Sequence, residues 1–347
     1  MKTIAVVDAG NRSRAFYDTY FAEVLRASGA EKLLVITEGD VTVEGRLAAR
    51  DKFGRAAMFR AAGASAVVEV PLCGLLLAEN VFAFAITCMI QKLGCAQQIA
   101  IPVDGDPAVF EKITTFLFDQ PAPYQKQMRA LRGEGRELRE VLPGVMEQFV
   151  PGAEEFLRRR SNHRSVEMFN SLRLAYYPAK PVIVPVSLPE EAQGTPEQDA
   201  CLLERLKETF AARTDAAKWA QQMYFGSERT AQRMADMLGD AAGYDDLSFR
   251  AQLPGEHAVS LRWNMMACLT GYRKVDSFVS IIYNYIPYIR LLDAPDEAFR
   301  RHLEASVGTT LLVDIPGEED HSRMNDSAKE LLSAIDARAR QLFLDAK

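Results

Sequence analysis

The sequence predicts a doubly wound α/β fold followed by a mainly helical part. Three observations carry this. Short, near-continuous apolar runs recur up to about residue 187; helical patterns separate the first four of them; beyond a Pro-, Glu- and Gly-rich stretch the pattern turns helical. Apolar runs of this length suit strands buried on both faces, as parallel strands are when helices connect them. The strands are "TIAVVD", "KLLVIT", "ASAVVEV", "QQIAIPV" and "PVIVPVS", with helices expected over 14–28, 51–63 and 79–94 between the first four. Two more helices are expected over 123–141 and 152–176, the first broken at "VLPGV".

"SLPEEAQGTPEQDA" reads as a linker, which gives a domain over 1–187 and a mainly helical domain over 188–347. The second holds the helical patterns "CLLERLKETFAARTDAAKWAQQMY", "SERTAQRMADML" and "AVSLRWNMMACLTGY". An extended piece is expected in "YIPYIRLLDAP", and a last helix in "SAKELLSAIDARARQLFLD".

Composition narrows the function classes. With 48% apolar and 25% charged residues, the 347-residue chain has the make-up of an ordinary globular protein. Its longest apolar stretch, "LCGLLLAENVFAFAITCMI", is interrupted by Glu79 and Asn80 and reads as a loop and buried helix rather than a membrane span. "MKTIAVVD" enters a strand without a signal-peptide pattern, so the expected address is cytoplasmic, with no membrane partner. Five cysteines without CxxC spacing predict buried thiols and no metal site. A net charge of -6 argues against wholesale nucleic-acid binding, while leaving room for a local basic patch.

In open α/β sheets, ligands lie beyond the carboxyl ends of the strands, where strand order reverses. The first such loop, "DAGNRSRAF", lacks GxGxxG, and no Walker sequence occurs in the chain. As a nucleotide site it offers Asp8, Gly10, Asn11, Arg12, Ser13 and Arg14 at a helix N-terminus; the alternative is a solvated turn capped by Asn11 or Ser13. Asp51, Lys52 and Arg55 crowd another helix start, where they suit either an anionic ligand or mutual ion pairs. "RRRSNHRS" places Arg158, Arg159, Arg160 and Arg164 around Asn162 and His163, as an RNA or phosphate contact or as a solvated helix face. None of the four histidines precedes residue 160, and HExxH and GxSxG are absent, so no catalytic residue is assigned.

Taken in order, these segments resemble the tRNA(Met) cytidine acetate ligase family of the HxGH nucleotidyltransferase superfamily. The strongest stretch is "DKFGRAAMFRAAGASAVVEVP…AENVFAFA", which is similar to that family's DKWxRxxMAxxxGADLVxELP…QSAExFAxGA block at Asp51, Lys52, Arg55, Met58, Gly63, Glu69, Pro71 and Glu79. "YQKQMRALRGEG" from Tyr124, "SNHRSVEMFNSLR" with Asn162 and Glu167, "PYIRLL" with Arg290 and "IDARARQLF" extend the similarity to nearly the whole chain. The resemblance implies a Rossmann-like nucleotidyltransferase sheet, ATP with Mg2+, tRNA as partner, and acetate activation to acetyl-adenylate. Gly39 and Asp106 join the nucleotide site on this resemblance, with Asn162, a short polar group able to read a ribose or base.

The departures from that family set the functional expectation. Where it has the HxGH histidines, this chain has Ser13, Ala15 and Phe16. Glu44 and Val186 stand where that family has arginines, and its later Ser-rich, Ile-Arg element is not recognisable in 187–225. Losing a preorganised donor to developing charge costs about 10²–10³ in rate. The expectation is therefore a nucleotidyltransferase-like protein impaired or inactive in adenylyl transfer, a pseudoenzyme. The alternatives are an active enzyme rewired through Arg12 and Arg14, and a non-catalytic binder of nucleotide or tRNA. Arginine stabilises phosphoryl charge but does not shuttle protons near neutral pH.

Overall fold

The computed structural model describes residues 1–43, 45–75, 79–133, 138–174, 181–189, 202–211, 286, 288–318 and 327–346, with 238, 240–243 and 269 besides. The expected helices over 212–285, Trp219, Ser227, Trp263 and most of the linker lie outside these residues.

All five expected strands form: β1 (Thr3–Val7), β2 (Lys32–Thr37), β3 (Ala66–Glu69), β4 (Gln98–Val103) and β5 (Val182–Ser187). Two more, β6 (Tyr288–Asp293) and β7 (Thr310–Val313), complete a seven-stranded sheet of order β5-β4-β1-β2-β3-β6-β7. The sheet thus draws strands from both sides of residue 187. Every pairing is parallel except β3 with β6, where a register shift sits between Val67 and Val68. The extended piece expected in "YIPYIRLLDAP" is β6.

Among the described residues the helices are α1 (Arg14–Ser28), α2 (Lys52–Ala61), α3 (Leu72–Leu75), α4 (Glu79–Leu93), α5 (Pro107–Asp119), α6 (Ala122–Gly133), α7 (Leu138–Glu147), α8 (Ala153–Arg158), α9 (Arg160–Leu174), α10 (Leu202–Ala211), α11 (Glu297–Ser306) and α12 (Ser327–Asp345). Three details differ from expectation. "VLPGV" does not break its helix, because α7 runs through Pro143. The single helix expected over 152–176 is two, parted at Arg159. Helix α5 was not expected, although Asp106 caps it and Pro107 opens it, a standard start signal.

Strand alternation divides the core in two. Ile4, Val6, Leu33 and Val35 face α1 and α2 with Tyr17, Tyr20, Phe21 and Phe59. Ala5, Leu34, Ile36, Val68, Ile99 and Ile101 face the opposite layer with Ile86, Met89, Phe110 and Leu157. Cys88 and Cys95 are buried free thiols, whose pKa burial raises to about 11. No described helix is long and apolar enough to cross a membrane.

Candidate functional site

Strand order reverses between β1 and β4, since the chain builds outward from β1 to β2 and β3 before crossing back. A cavity of about 200 Å³ opens at the carboxyl ends of those strands. Its lining brings together Asp8, Asn11, Arg12 and Phe16 from the first loop and α1, with Glu38 after β2. Ser161, Arg164, Ser165 and Met168 face it from α9, and Phe82, Ile101 and Leu188 close its apolar side.

The first loop is held by its own side chains. Asp8 Oδ1 accepts from the Gly10 amide at 2.8 Å and from Tyr17 Oη at 2.5 Å, and the Arg12 amide donates to that phenol at 3.3 Å. Ser13 caps α1 by accepting from the Phe16 amide at 3.1 Å. Enclosure raises the Asp8 pKa, an effect that Tyr17 and the Gly10 amide oppose; burial and Asp8 together push the Tyr17 phenol well above its ordinary value. Gly10 has φ +72°, and a Cβ there would lie 2.6 Å from Arg55 Cδ. Its lack of a side chain therefore lets the loop pack on Arg55. The Arg12 guanidinium sits 5.5 Å from the Phe16 ring centroid, and that ring packs edge-on to Tyr17.

The other residues expected at the site go elsewhere. Arg14 is on the surface, pairing with Asp18 at 2.6 Å and donating to the Ala61 carbonyl. Asp106 and Asp51 are helix caps for α5 and α2. Asn162 is fully buried: its amide donates to the Asp104 and Phe156 carbonyls, both at 2.9 Å, while its oxygen accepts from the Asp104 amide at 2.9 Å. It stitches the loop after β4 to α8 and α9. The basic run is split, since Arg158 pairs with Glu154 and Arg159 with Asp104 at 2.7 Å, leaving Arg164 as its one described arginine that lines the cavity. The Arg160 side chain lies outside the described residues.

Lys52 and Arg55 belong to a second constellation, a buried network at the carboxyl ends of β2 and β3. Lys52 Nζ lies 2.9 Å from Glu69 and 2.7 Å from Asp314. Arg55 donates to the Ala9 carbonyl at 2.8 Å and to the Gly39 carbonyl, tying the first two loops together. From the C-terminal side, Arg290 pairs with Asp336 at 3.2 Å, Tyr288 Oη donates to Asp336 at 2.5 Å, and Arg340 pairs with Asp40 at 3.0 Å. Burial lowers the Lys52 pKa by itself, but Glu69 and Asp314 outweigh it and the net shift is upward. Burial raises the Glu69 pKa despite Lys52. Among the described residues no three His, Cys, Asp or Glu side chains cluster as a metal site.

Glu38, Ser161, Ser165 and Met168 line the cavity without having been singled out in the sequence. A signal existed for α9: residues 161, 164, 165 and 168 follow the 3–4 spacing of one helix face.

A largely parallel sheet carrying its cavity at the switch point, with a helix opening after β1, is a doubly wound α/β scaffold of the kind that binds nucleotides. Residues 20–168 match the family model described as HIGH Nucleotidyl Transferase. The crystal structure of Thermotoga maritima TmcAL, the tRNA(Met) cytidine acetate ligase, bound with alpha-thio ATP, superposes with a TM-score of 0.77. It has 14% identity over 99% of this chain and 94% of that one. The apo form of the same protein gives a TM-score of 0.75 at 14% identity over the same shares. No curated protein matches the sequence. The comparisons support the resemblance read from the sequence in its fold over the whole chain, and in the family model over residues 20–168.

Proposed function

We propose that this chain is a nucleotide-binding member of the nucleotidyl transferase scaffold that does not carry out adenylyl transfer. The observation that carries the reading is the cavity at the β1/β4 switch point, whose described lining includes Asp8, Arg12 and Phe16 but no histidine. Thermotoga maritima TmcAL, of like fold, is described as bound with alpha-thio ATP, and in open α/β sheets ligands lie at the switch point. The chemistry of the wall is that of a binder. The Phe16 ring donates no hydrogen bond, and arginines such as Arg12 and Arg164 stabilise phosphoryl charge without shuttling protons near neutral pH. Magnesium would enter with a nucleotide's phosphates, since the described residues offer no ligand cluster of their own.

The rewired-enzyme reading requires Arg12 and Arg14 around one phosphate. Arg14 instead turns to Asp18 and the Ala61 carbonyl, so one of the two cations is spent outside the cavity. A tRNA contact through the basic run is likewise weakened, because Glu154 and Asp104 engage Arg158 and Arg159. The test is pyrophosphate release from ATP in the presence of acetate and Mg2+, run beside ATP binding by calorimetry. The expected result is binding without turnover above the protein-free rate. Turnover that disappears in Arg12→Ala would overturn the proposal.

A further inference from the structure

We infer that the cavity recognises the nucleoside end of its ligand, so that a nucleoside or nucleoside monophosphate binds about as tightly as the triphosphate. This rests on the nucleotide reading above and narrows it to a ligand class. The charge of the lining and its shape carry it.

The described lining holds two cations, Arg12 and Arg164, against two acids, Asp8 and Glu38, so it presents no excess positive charge. A triphosphate carries several negative charges, and sites that grip one concentrate cations and open backbone amides. Three of the amides here are spent within the loop: Gly10 donates to Asp8, Arg12 to Tyr17 and Phe16 to Ser13. The cations that the sequence places nearby are also engaged, Lys52 by Glu69 and Asp314, and Arg55 by the Ala9 and Gly39 carbonyls.

The rest of the wall suits a planar, weakly polar body. Phe16, Phe82, Ile101, Met168 and Leu188 supply apolar surface, and Phe16 is braced by Tyr17 and by Tyr20, whose centroids lie 5.3 and 5.7 Å away. Base stacking on such a ring is tolerant of sequence and strong enough to carry binding. Asn11, Ser161 and Ser165 bring short polar groups of the kind that read ring edges and sugar hydroxyls. At about 200 Å³ the cavity is also below the roughly 300–1,000 Å³ usual for sites that enclose a whole drug-sized ligand. A nucleoside seated against Phe16 would leave further phosphates outside.

Calorimetric titration of the full chain with adenosine, AMP and ATP with Mg2+ tests this. The expected dissociation constants agree within about threefold, and Phe16→Leu, checked for folding by its melting curve, weakens all three about tenfold. ATP binding at least tenfold tighter than adenosine would overturn the inference while leaving nucleotide binding intact. Unchanged adenosine affinity in folded Phe16→Leu would overturn it as well. Should Phe16→Leu not fold, wild-type titrations at low and high salt decide: ATP affinity that stays within about twofold supports nucleoside recognition, and a steep loss refutes it. If none of the three ligands binds, the nucleotide reading itself falls and takes this one with it.

Discussion

Lys52→Met examines whether the buried network is structural. Lys52 and Glu69 have side chains only 7% and 6% exposed, and their charges meet at 2.9 Å. The substitution keeps the length and the apolar stem of the lysine and leaves Glu69 buried beside an apolar group. Removing one partner of a buried pair costs about 3–5 kcal/mol. The Asp314 contact adds little, because that carboxylate is 33% exposed and water screens it. The expected loss near pH 8 is therefore about 3–5 kcal/mol, set by Glu69.

The pH dependence sharpens the test. Glu69 already titrates above its ordinary 4.5, owing to burial, and Lys52 is the main group holding it down. Without Lys52 its folded pKa rises further, away from the unfolded value. A carboxyl whose folded pKa is raised favours the fold when protonated, below its unfolded pKa, and loses that contribution as pH rises through the folded value. The deficit of Lys52→Met should thus shrink from pH 8 to pH 5, with a slope of at most about 1.4 kcal/mol per pH unit for one proton. Urea unfolding of wild type and variant at both pH values measures this. A loss below about 1 kcal/mol, or one that is equal at both pH values, would refute the structural role and return Lys52 to the ligand-binding candidates.

Three further outcomes follow from the same geometry. Gly10→Ala forces a left-handed conformation on a residue with a Cβ and drives it against Arg55, so urea unfolding should show a loss of about 2–4 kcal/mol; a loss below 0.5 would mean that Arg55 yields freely. Asn162→Ala orphans three backbone groups at once and should cost about 2–4 kcal/mol, while nucleotide affinity, measured at a temperature where the variant is folded, changes by less than threefold. A large affinity loss in folded Asn162→Ala would put that residue back at the ligand. Arg14→Ala removes an exposed i,i+4 pair and should change stability by less than about 0.5 kcal/mol, with no effect on ATP binding by calorimetry.

The sheet was legible because buried strands announce themselves: "KLLVIT" and "QQIAIPV" admit little else between helical patterns. The antiparallel entry of β6 was not, because a single strand late in the chain carries no signal for its partner; β3 accepts it across a register shift. The site was half legible. Asp8, Asn11 and Arg12 follow from their place after the first strand, since topology alone puts them at the switch point. Asn162 shows why the rest was not: a buried asparagine that satisfies three backbone groups looks, as a letter in a basic run, the same as one that reads a ribose.

Lys52 and Arg55 show the general form of that ambiguity. Cations at a helix start are what an anion site requires, and equally what a buried set of carboxylates and carbonyls requires. What separates the two is the count of opposing groups, and here the opposing groups arrive from far along the chain: Asp314, Asp336 beside Arg290, and Arg340 on Asp40. The segments that carry the resemblance, around Asp51, Glu69, Arg290 and Asp336, are therefore largely the parts that hold α2, β3, β6 and α12 together. A chain can keep all of them while its first loop drifts, because they answer to folding and the loop answers to the ligand. The same scaffold then remains with Phe16 lining the cavity and Ser13 capping α1, which is the wall that the proposed nucleoside would meet.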